Sequence, residues 1–242
     1  MILVHKLRRA ATGTESLCGF VASVASGDPV PGGGSVCALA GQLGAALAQM
    51  VAGLTIGRKK YAAVDGEMKA IASEAAALAH ELSALVKRDS AAYTLVSNAY
   101  KMPKDSPENG VARDAAIQRA LMTATEVPLE TARAAASVAA LAARCAAKGN
   151  TNAASDAGVA ALLADAACKG AAYNVRINIA SMNDKSVGAG FAAEAKQLAA
   201  MAGASVAEAL IIGELLIGLR TGARIWGLVN IFLVLTWVAS VG

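Results

Sequence analysis

"PGGGSVCALAGQLGAALAQMVAGLTIGRKKY", residues 31–61, sets the chain's most permissive backbone directly before a long uncharged run. Gly32, Gly33 and Gly34 precede Ser35, and the residues after it are mostly Ala, Leu and Gly. Ala and Leu lose little side-chain freedom in a helix, so the run reads as one helix from about 34 to 56. The glycines before it either turn a tight corner or hold an anionic group. In the second case backbone N–H groups converge at a helix start, where the helix dipole adds partial positive charge. No lysine follows them as it would in a GxxxxGK[ST] nucleotide loop. The run is long enough to span a bilayer, but Ala and Gly gain little from lipid and Gln42 and Gln49 sit inside it, so it reads as a buried core helix. Gly41, Gly44, Ala45 and Ala48 recur at three- and four-residue spacing. Small residues in that pattern let another helix approach closely, within one subunit or across an interface.

Working outward from this helix, breakers and 3.6-residue periodicity predict further helical segments near 15–26, 63–101, 107–147, 152–181 and 187–219. The connections between them are short, so successive helices should run antiparallel. Ser106 followed by Pro107 reads as a helix start, with Ser as the cap. Pro128 falls inside the fourth segment, removes a backbone donor and is expected to kink or interrupt the helix. The Val/Ile/Thr alternation of strands is nearly absent. The expected fold is therefore all-α, an up-and-down helical bundle of about five to six helices forming a single domain over 15–220. Residues 1–14 are basic and carry an apolar part too short for a secretory signal, so they read as a disordered tail. Residues 221–242 form a hydrophobic extension of unknown role. Its stretch "IWGLVNIFLVLTWVASVG" is short for a membrane span and reads as a packing or oligomerisation segment.

Of 242 residues, 56% are hydrophobic and only 4% aromatic, and 22 Lys and Arg stand against 18 Asp and Glu. The mild positive balance suits an anionic small ligand, while the scarcity of aromatics argues against stacking on nucleic-acid bases. The four cysteines show no CxxC and no Cys/His ligand spacing, which points away from zinc and towards buried free thiols in a reducing, cytoplasmic setting. His5 lies in the tail and His80 on an expected solvent face, so acid–base work must fall on carboxylates, Lys or Tyr.

Several stretches could carry such work. "RKKY", 58–61, places Arg58, Lys59, Lys60 and Tyr61 at one turn, either as dipole complement at a helix end or as an anion site. "KGNTNAASDAGVA", 148–160, gathers Asn150, Asn152, Ser155 and Asp156 at a helix start, where capping alone would also account for Ser155 or Asp156. Asn174 and Asn178 stand at i and i+4 on an otherwise apolar helix and either satisfy buried backbone or line a pocket. Asp89 follows Lys87 and Arg88 and is either a surface ion-pair member or a working carboxylate.

Taken in order, "PVPGGGSVCALAGQLGAALAQMVAGLTIGRKKY", "PKDSPE", "ATEVPLE", "AKGNTNAASDAGVAAL" and "YNVRIN" resemble the cyclodeaminase/cyclohydrolase family of folate enzymes. That family includes methenyltetrahydrofolate cyclohydrolases and the cyclodeaminase domain of formiminotransferase-cyclodeaminase. No stretch resembles the formiminotransferase domain, so the bifunctional form is not expected. The resemblance implies a homodimer that binds a tetrahydrofolate derivative as substrate without metal, and the composition gives no expectation of a nucleic-acid or membrane partner. It puts the family's glycine loop on Pro31, Gly32, Gly33, Gly34 and Ser35, its basic turn on Lys59, Lys60 and Tyr61, its acidic helix position on Asp89, and its Asn/Asp cluster on Asn150, Asn152 and Asp156. Ala91 departs from the pattern, because relatives tend to be acidic there. The implied reaction is hydrolysis of 5,10-methenyltetrahydrofolate to 10-formyltetrahydrofolate. The alternatives are cyclodeamination of formiminotetrahydrofolate with release of ammonia, and folate binding without catalysis. In the catalytic readings Asp89 or Asp156 is the base, Lys59 or Lys60 the proton donor or electrostatic partner, and the glycine loop the ligand clamp. Tyr61, Asn150, Asn152, Asn174 and Asn178 are the expected further contacts with the folate.

Overall fold

The structure, a computed structural model, describes residues 16–221. The expected basic tail, with His5, and the hydrophobic extension from 222 onward lie outside the described residues. Among the described residues there are six α-helices and no strand: α1 Leu17–Val24, α2 Gly33–Thr55, α3 Asp65–Tyr100, α4 Pro107–Lys148, α5 Ala154–Ala180 and α6 Ala189–Thr221. Short 3₁₀ segments at Lys59–Val64, Thr151–Ala153 and Lys185–Gly188 join them.

Cross-helix contacts give the direction of each helix. Ser35 meets Asp89 and Gly41 meets Leu82, so α2 and α3 are antiparallel. Arg88 pairs with Glu130 while Lys148 reaches back to Glu67, so α3 and α4 are antiparallel too. Cys168 lies under Ala132 O and Asn178 under Ala124 O, which orients α5 against α4. α4 packs against α2, α3, α5 and α6 and is the centre of the up-and-down bundle. α1 buries none of its residues.

Alanine dominates the interior, with Met68, Ile71, Leu82, Leu85 and Leu129 as the largest fully buried side chains. Each of these contributes roughly 1.5–3 kcal/mol on burial, whereas alanine contributes mainly by allowing close approach. Gly41, Gly44, Ala45 and Ala48 are all buried within the chain, so their spacing serves packing inside the subunit. A Cβ at position 44 would stand 2.9 Å from Ala160 O and 3.4 Å from Val138 Cγ1, and α5's backbone there cannot give way cheaply. Gly44→Ala should therefore cost about 1–3 kcal/mol despite alanine's better helix propensity. Thermal unfolding should show a midpoint lower by about 2–4 °C per kcal/mol. An unchanged midpoint would mean that α2 and α5 can part without loss.

Two readings of the sequence are corrected here. α4 is not interrupted at Pro128, for the helix runs unbroken through that buried residue. Pro128 cannot donate to Ala124 O, and Asn178 Nδ2 of α5 donates to that carbonyl instead. α2 is covered by α3, α4 and α5 but leaves Val36, Leu43, Met50 and Leu54 exposed, so it is a core helix with one open apolar face. By length and composition α2 and the stretch Lys185–Leu216 could each cross a membrane. Of the thiols, Cys145 and Cys168 are buried, and burial pushes them up to about 11 and about 12; Cys37 is half-buried and Cys18 is exposed.

Ion pairs tie the outer side of α4 to its neighbours. Glu67 accepts from Lys148 Nζ at 3.0 Å and Arg144 Nε at 3.1 Å, and Arg133 meets Glu194 in two bonds of 2.6 and 2.8 Å. These hydrogen bonds, Lys148's first for Glu67 and Arg133's for Glu194, hold both carboxyls below the usual glutamate value. A lowered folded-state value gives stability that is complete above the unfolded value and fades as pH falls through the folded one. The unfolding midpoint should thus hold down to about pH 4.3 and then decline, and Glu67→Gln should flatten that decline. A variant that declines as steeply as the wild type would remove Glu67 from this account.

Candidate active site

The N-terminus of α2, the C-terminal third of α3 and the end of α5 enclose a cavity of ≈ 280 Å³. Pro29, Val30 and the glycines line one wall, Asp89, Tyr93, Val96 and Tyr100 the second, and Asn174, Asn178 and Ser181 the third. The glycine loop is there for a steric reason. A Cβ at position 34 would collide with the Asp89 carboxylate, 2.6 Å from its Cγ, so only glycine lets α3 bring this acid against the start of α2. The Val30–Pro31 peptide is cis. Gly32, Gly33 and Gly34 border the cavity at the start of α2, where the helix has its positive end.

Asp89 is not an ion-pair partner of its neighbours, since Arg88 turns outward to Glu130. The Asp89 carboxylate accepts a 2.7 Å bond from Ser35 Oγ, which is fully buried and also lies 3.2 Å from Val86 O and 3.3 Å from Ser90 Oγ. Ser35 thus positions Asp89 and is not free to touch a ligand directly. Burial, followed by the charge of Asp89, raises the nearby Cys37 thiol, which keeps it protonated. Of the two asparagines, Asn174 Nδ2 donates to Gly170 O one turn back, and Asn178 Nδ2 to Ala124 O. Each therefore both satisfies backbone and faces the cavity, and each has its amide nitrogen committed to a carbonyl.

The remaining candidates gather at the other end of α2. Asn150 N donates to Thr55 Oγ1 at 2.8 Å and Asn150 Nδ2 to Leu54 O at 3.1 Å. Tyr61 accepts from Thr151 N at 3.0 Å, and its hydroxyl lies 3.3 Å from Thr151 Oγ1; this bonding, with Lys60 beside it, lowers the phenol below its usual value. Lys59 and Lys60 are exposed on the 3₁₀ segment, with Lys60 Nζ 5.2 Å from the Tyr61 ring centre. Asn150 Oδ1 accepts from Asn152 N, and Asp156 sits half-buried in the first turn of α5. From Ser35 to Thr55 is about 30 Å along the helix at 1.5 Å per residue. Within one chain the expected residues thus form two groups: Gly32–Gly34, Ser35, Asp89, Asn174 and Asn178 at one end, and Lys59, Lys60, Tyr61, Asn150, Asn152 and Asp156 at the other.

A family model described as formiminotransferase-cyclodeaminase matches residues 16–197. The chain belongs to that family. Within it, the chain is 42% identical over 192 residues to a methenyltetrahydrofolate cyclohydrolase of Methylorubrum extorquens, covering 79% of this chain and 92% of that protein. It is 37% identical over 169 residues to the formimidoyltransferase-cyclodeaminase of Mus musculus, but spans only 31% of that longer protein and 70% of its own length. Among solved structures it superimposes on the formiminotetrahydrofolate cyclodeaminase of Thermotoga maritima with a TM-score of 0.76 at 31% identity, covering 84% of this chain and 97% of that one.

In this member of the formiminotransferase-cyclodeaminase family, sequence reasoning missed the aromatic wall of the cavity. Asp89, Tyr93, Val96 and Tyr100 follow one another at i, i+4, i+7 and i+11, one face of α3. That register, started at Asp89, was the signal that would have found them. Thr55 and Thr151 were missed at the other end, where nothing local in the sequence marks them as partners of Asn150 and Tyr61.

Proposed function

We propose that this protein hydrolyses 5,10-methenyltetrahydrofolate to 10-formyltetrahydrofolate, as a metal-free, cytoplasmic homodimer. The observation that carries the reading is the Asp89 carboxylate, held by buried Ser35 at the wall of a cavity also lined by Gly32, Gly33 and Gly34 and by Asn174 and Asn178. The 42% identity to a cyclohydrolase over nearly its whole length supports it.

In the reaction, water attacks the carbon bridging N5 and N10, the bond to N5 breaks, and the formyl group stays on N10. One water proton ends on N5 and the other is released. Asp89 takes the proton from the attacking water and offsets the cationic charge of the bridge, and an ordered base of this kind contributes roughly 10²–10⁴-fold. The glycine N–H groups suit the oxygen that gains negative charge. A carboxylate and an acid suffice for this chemistry, which supports the metal-free reading, and the four free thiols suit a reducing cytoplasm. Cyclodeamination is the second reading, favoured by the name of the Thermotoga maritima structure and of the mouse relative.

The test follows the absorbance band of 5,10-methenyltetrahydrofolate with purified protein, at a pH where spontaneous hydrolysis is slow. Rapid, protein-dependent loss is the expected result. Appearance of that band with ammonia from the 5-formimino compound, and no loss, would replace hydrolysis by cyclodeamination. Silence in both assays would leave folate binding without catalysis.

A further inference from the structure

We propose that Asn178 reads the ring of the substrate: its amide oxygen accepts from the exocyclic 2-amino group of the pterin, and Pro128 holds the amide that way round. For its ligand this rests on the function just proposed, which it deepens. The orientation of the amide rests on the fold alone.

The first observation is where Asn178 stands. Along the α2–α5 contact Gly44 faces Ala160, Gly41 faces Ala167, Gly170 faces Cys37 and Gly33 faces Asn174. The two helices are thus antiparallel, with Asn174 level with the first turn of α2. Asp89 stands at the same level, against Gly34. Asn178 comes one turn later in α5, about 6 Å further on at 1.5 Å per residue and beyond the start of α2. There α3 and α4 supply Val96, Leu121 and Ala124, an apolar slot for a flat ring. A bicyclic pterin whose bridge carbon lies at Asp89 reaches this second level with its pyrimidine edge.

The second observation is how Asn178 is held. Gly170 O has its helical donor in Asn174 N, so the bond from Asn174 Nδ2 is an additional one and can be given up. Ala124 O has no helical donor, because residue 128 is proline, and Asn178 Nδ2 donates in its place. Turning this amide over would set its oxygen against that carbonyl and leave two acceptors face to face. The nitrogen is therefore kept towards α4, which leaves the oxygen to accept. Among the described residues no donor meets that oxygen, nor is it sealed away. The neighbouring Ser181 Oγ is spent on Ile177 O. An open acceptor in an apolar slot selects a ring edge that carries an N–H and disfavours one that carries a carbonyl there.

Pterin and lumazine are the probes, since lumazine has a carbonyl where pterin has the 2-amino group; both are titrated into the protein by fluorescence. Wild type should bind pterin about 10-fold more tightly, the worth of one such hydrogen bond. Pro128→Ala gives Ala124 O a backbone donor and frees the amide to turn, so the preference should shrink a few-fold in a protein that keeps its fold. Asn178→Ala on that background should abolish the preference, without the unpaired carbonyl that Asn178→Ala alone would leave. The unfolding midpoint should accordingly fall by several degrees when Asn178→Ala is made in wild type, and hardly move when it is made on Pro128→Ala. A wild type that binds neither ring, or both equally, overturns the proposal. So does a preference untouched by Pro128→Ala or surviving in the double variant, or an equal fall in midpoint on both backgrounds. A protein that prefers pterin yet is silent towards methenyltetrahydrofolate would instead refute the proposed hydrolysis and leave the reading of the ring standing.

Discussion

Asp89→Asn should lower kcat/KM for methenyltetrahydrofolate hydrolysis by about 10²–10⁴-fold, the contribution of a positioned general base. Asparagine keeps the shape of the side chain, and its carbonyl oxygen can still accept the bond from Ser35 Oγ, so the packing of α3 against α2 should survive. What is lost is the negative charge and the capacity to take a proton from water. The fold should stay intact, with an unfolding midpoint within a few degrees of wild type, because one half-buried side chain of unchanged volume has been altered. The split between kinetic constants is informative. A loss mostly in kcat places Asp89 at the reacting atoms, whereas a rise in KM alone would make it a binding group. A fully active variant would move the base to another carboxylate, with Asp156 the first to replace by Asn.

Gly34→Ala should lower the same activity by about 10²-fold while leaving the protein nearly as stable as before, because a misplacement of about 1 Å in a catalytic group can cost that much. The added Cβ would occupy the space of the Asp89 carboxylate, within 2.6 Å of its Cγ. The start of α2 cannot retreat, since further along the helix Gly41 and Gly44 are locked against Leu82, Ala160 and Ala167. The free end of the Asp89 side chain is the softer partner, so it rotates away and its 2.7 Å bond to Ser35 breaks. Gly33→Ala is the control, for a Cβ there meets nothing nearer than Asn174 Nδ2 at 3.9 Å. Near-normal activity in both variants would mean that Asp89 works from a range of positions and that the close approach at Gly34 serves packing alone.

Much of the scaffold was legible in the residues. Alanine-rich periodic runs separated by short breaker clusters gave each helix within a few positions, and Ser106 with Pro107 marked the start of α4, where Ser106 Oγ accepts from Asn109 N. Helix formation there is local, so local propensity and capping suffice to read it. Of the two outcomes expected at Pro128, a kink or an interruption, the interruption is absent for the opposite reason. The donor that answers Ala124 O comes from Asn178, fifty-four residues away, and no local rule could supply it. The two candidate asparagines were recognised as polar residues on an apolar face, but that they serve backbone and cavity together became visible only with α4 and α5 in contact.

The sequence by itself determined that this chain is all-helical, that short loops make it an up-and-down bundle, and which polar residues stand out from an alanine background. Those properties depend on spacing over a few turns. Only the tertiary structure decided how those residues are shared out. α2 is a rigid rod of twenty-three residues, so the glycine loop before it and the basic turn after it, neighbours in any reading of the motifs, are held at opposite ends of the bundle. Asp89, fifty-four residues from Ser35 in the chain, is brought into hydrogen-bond contact with it because α3 folds back antiparallel and position 34 has no side chain to stand in the way.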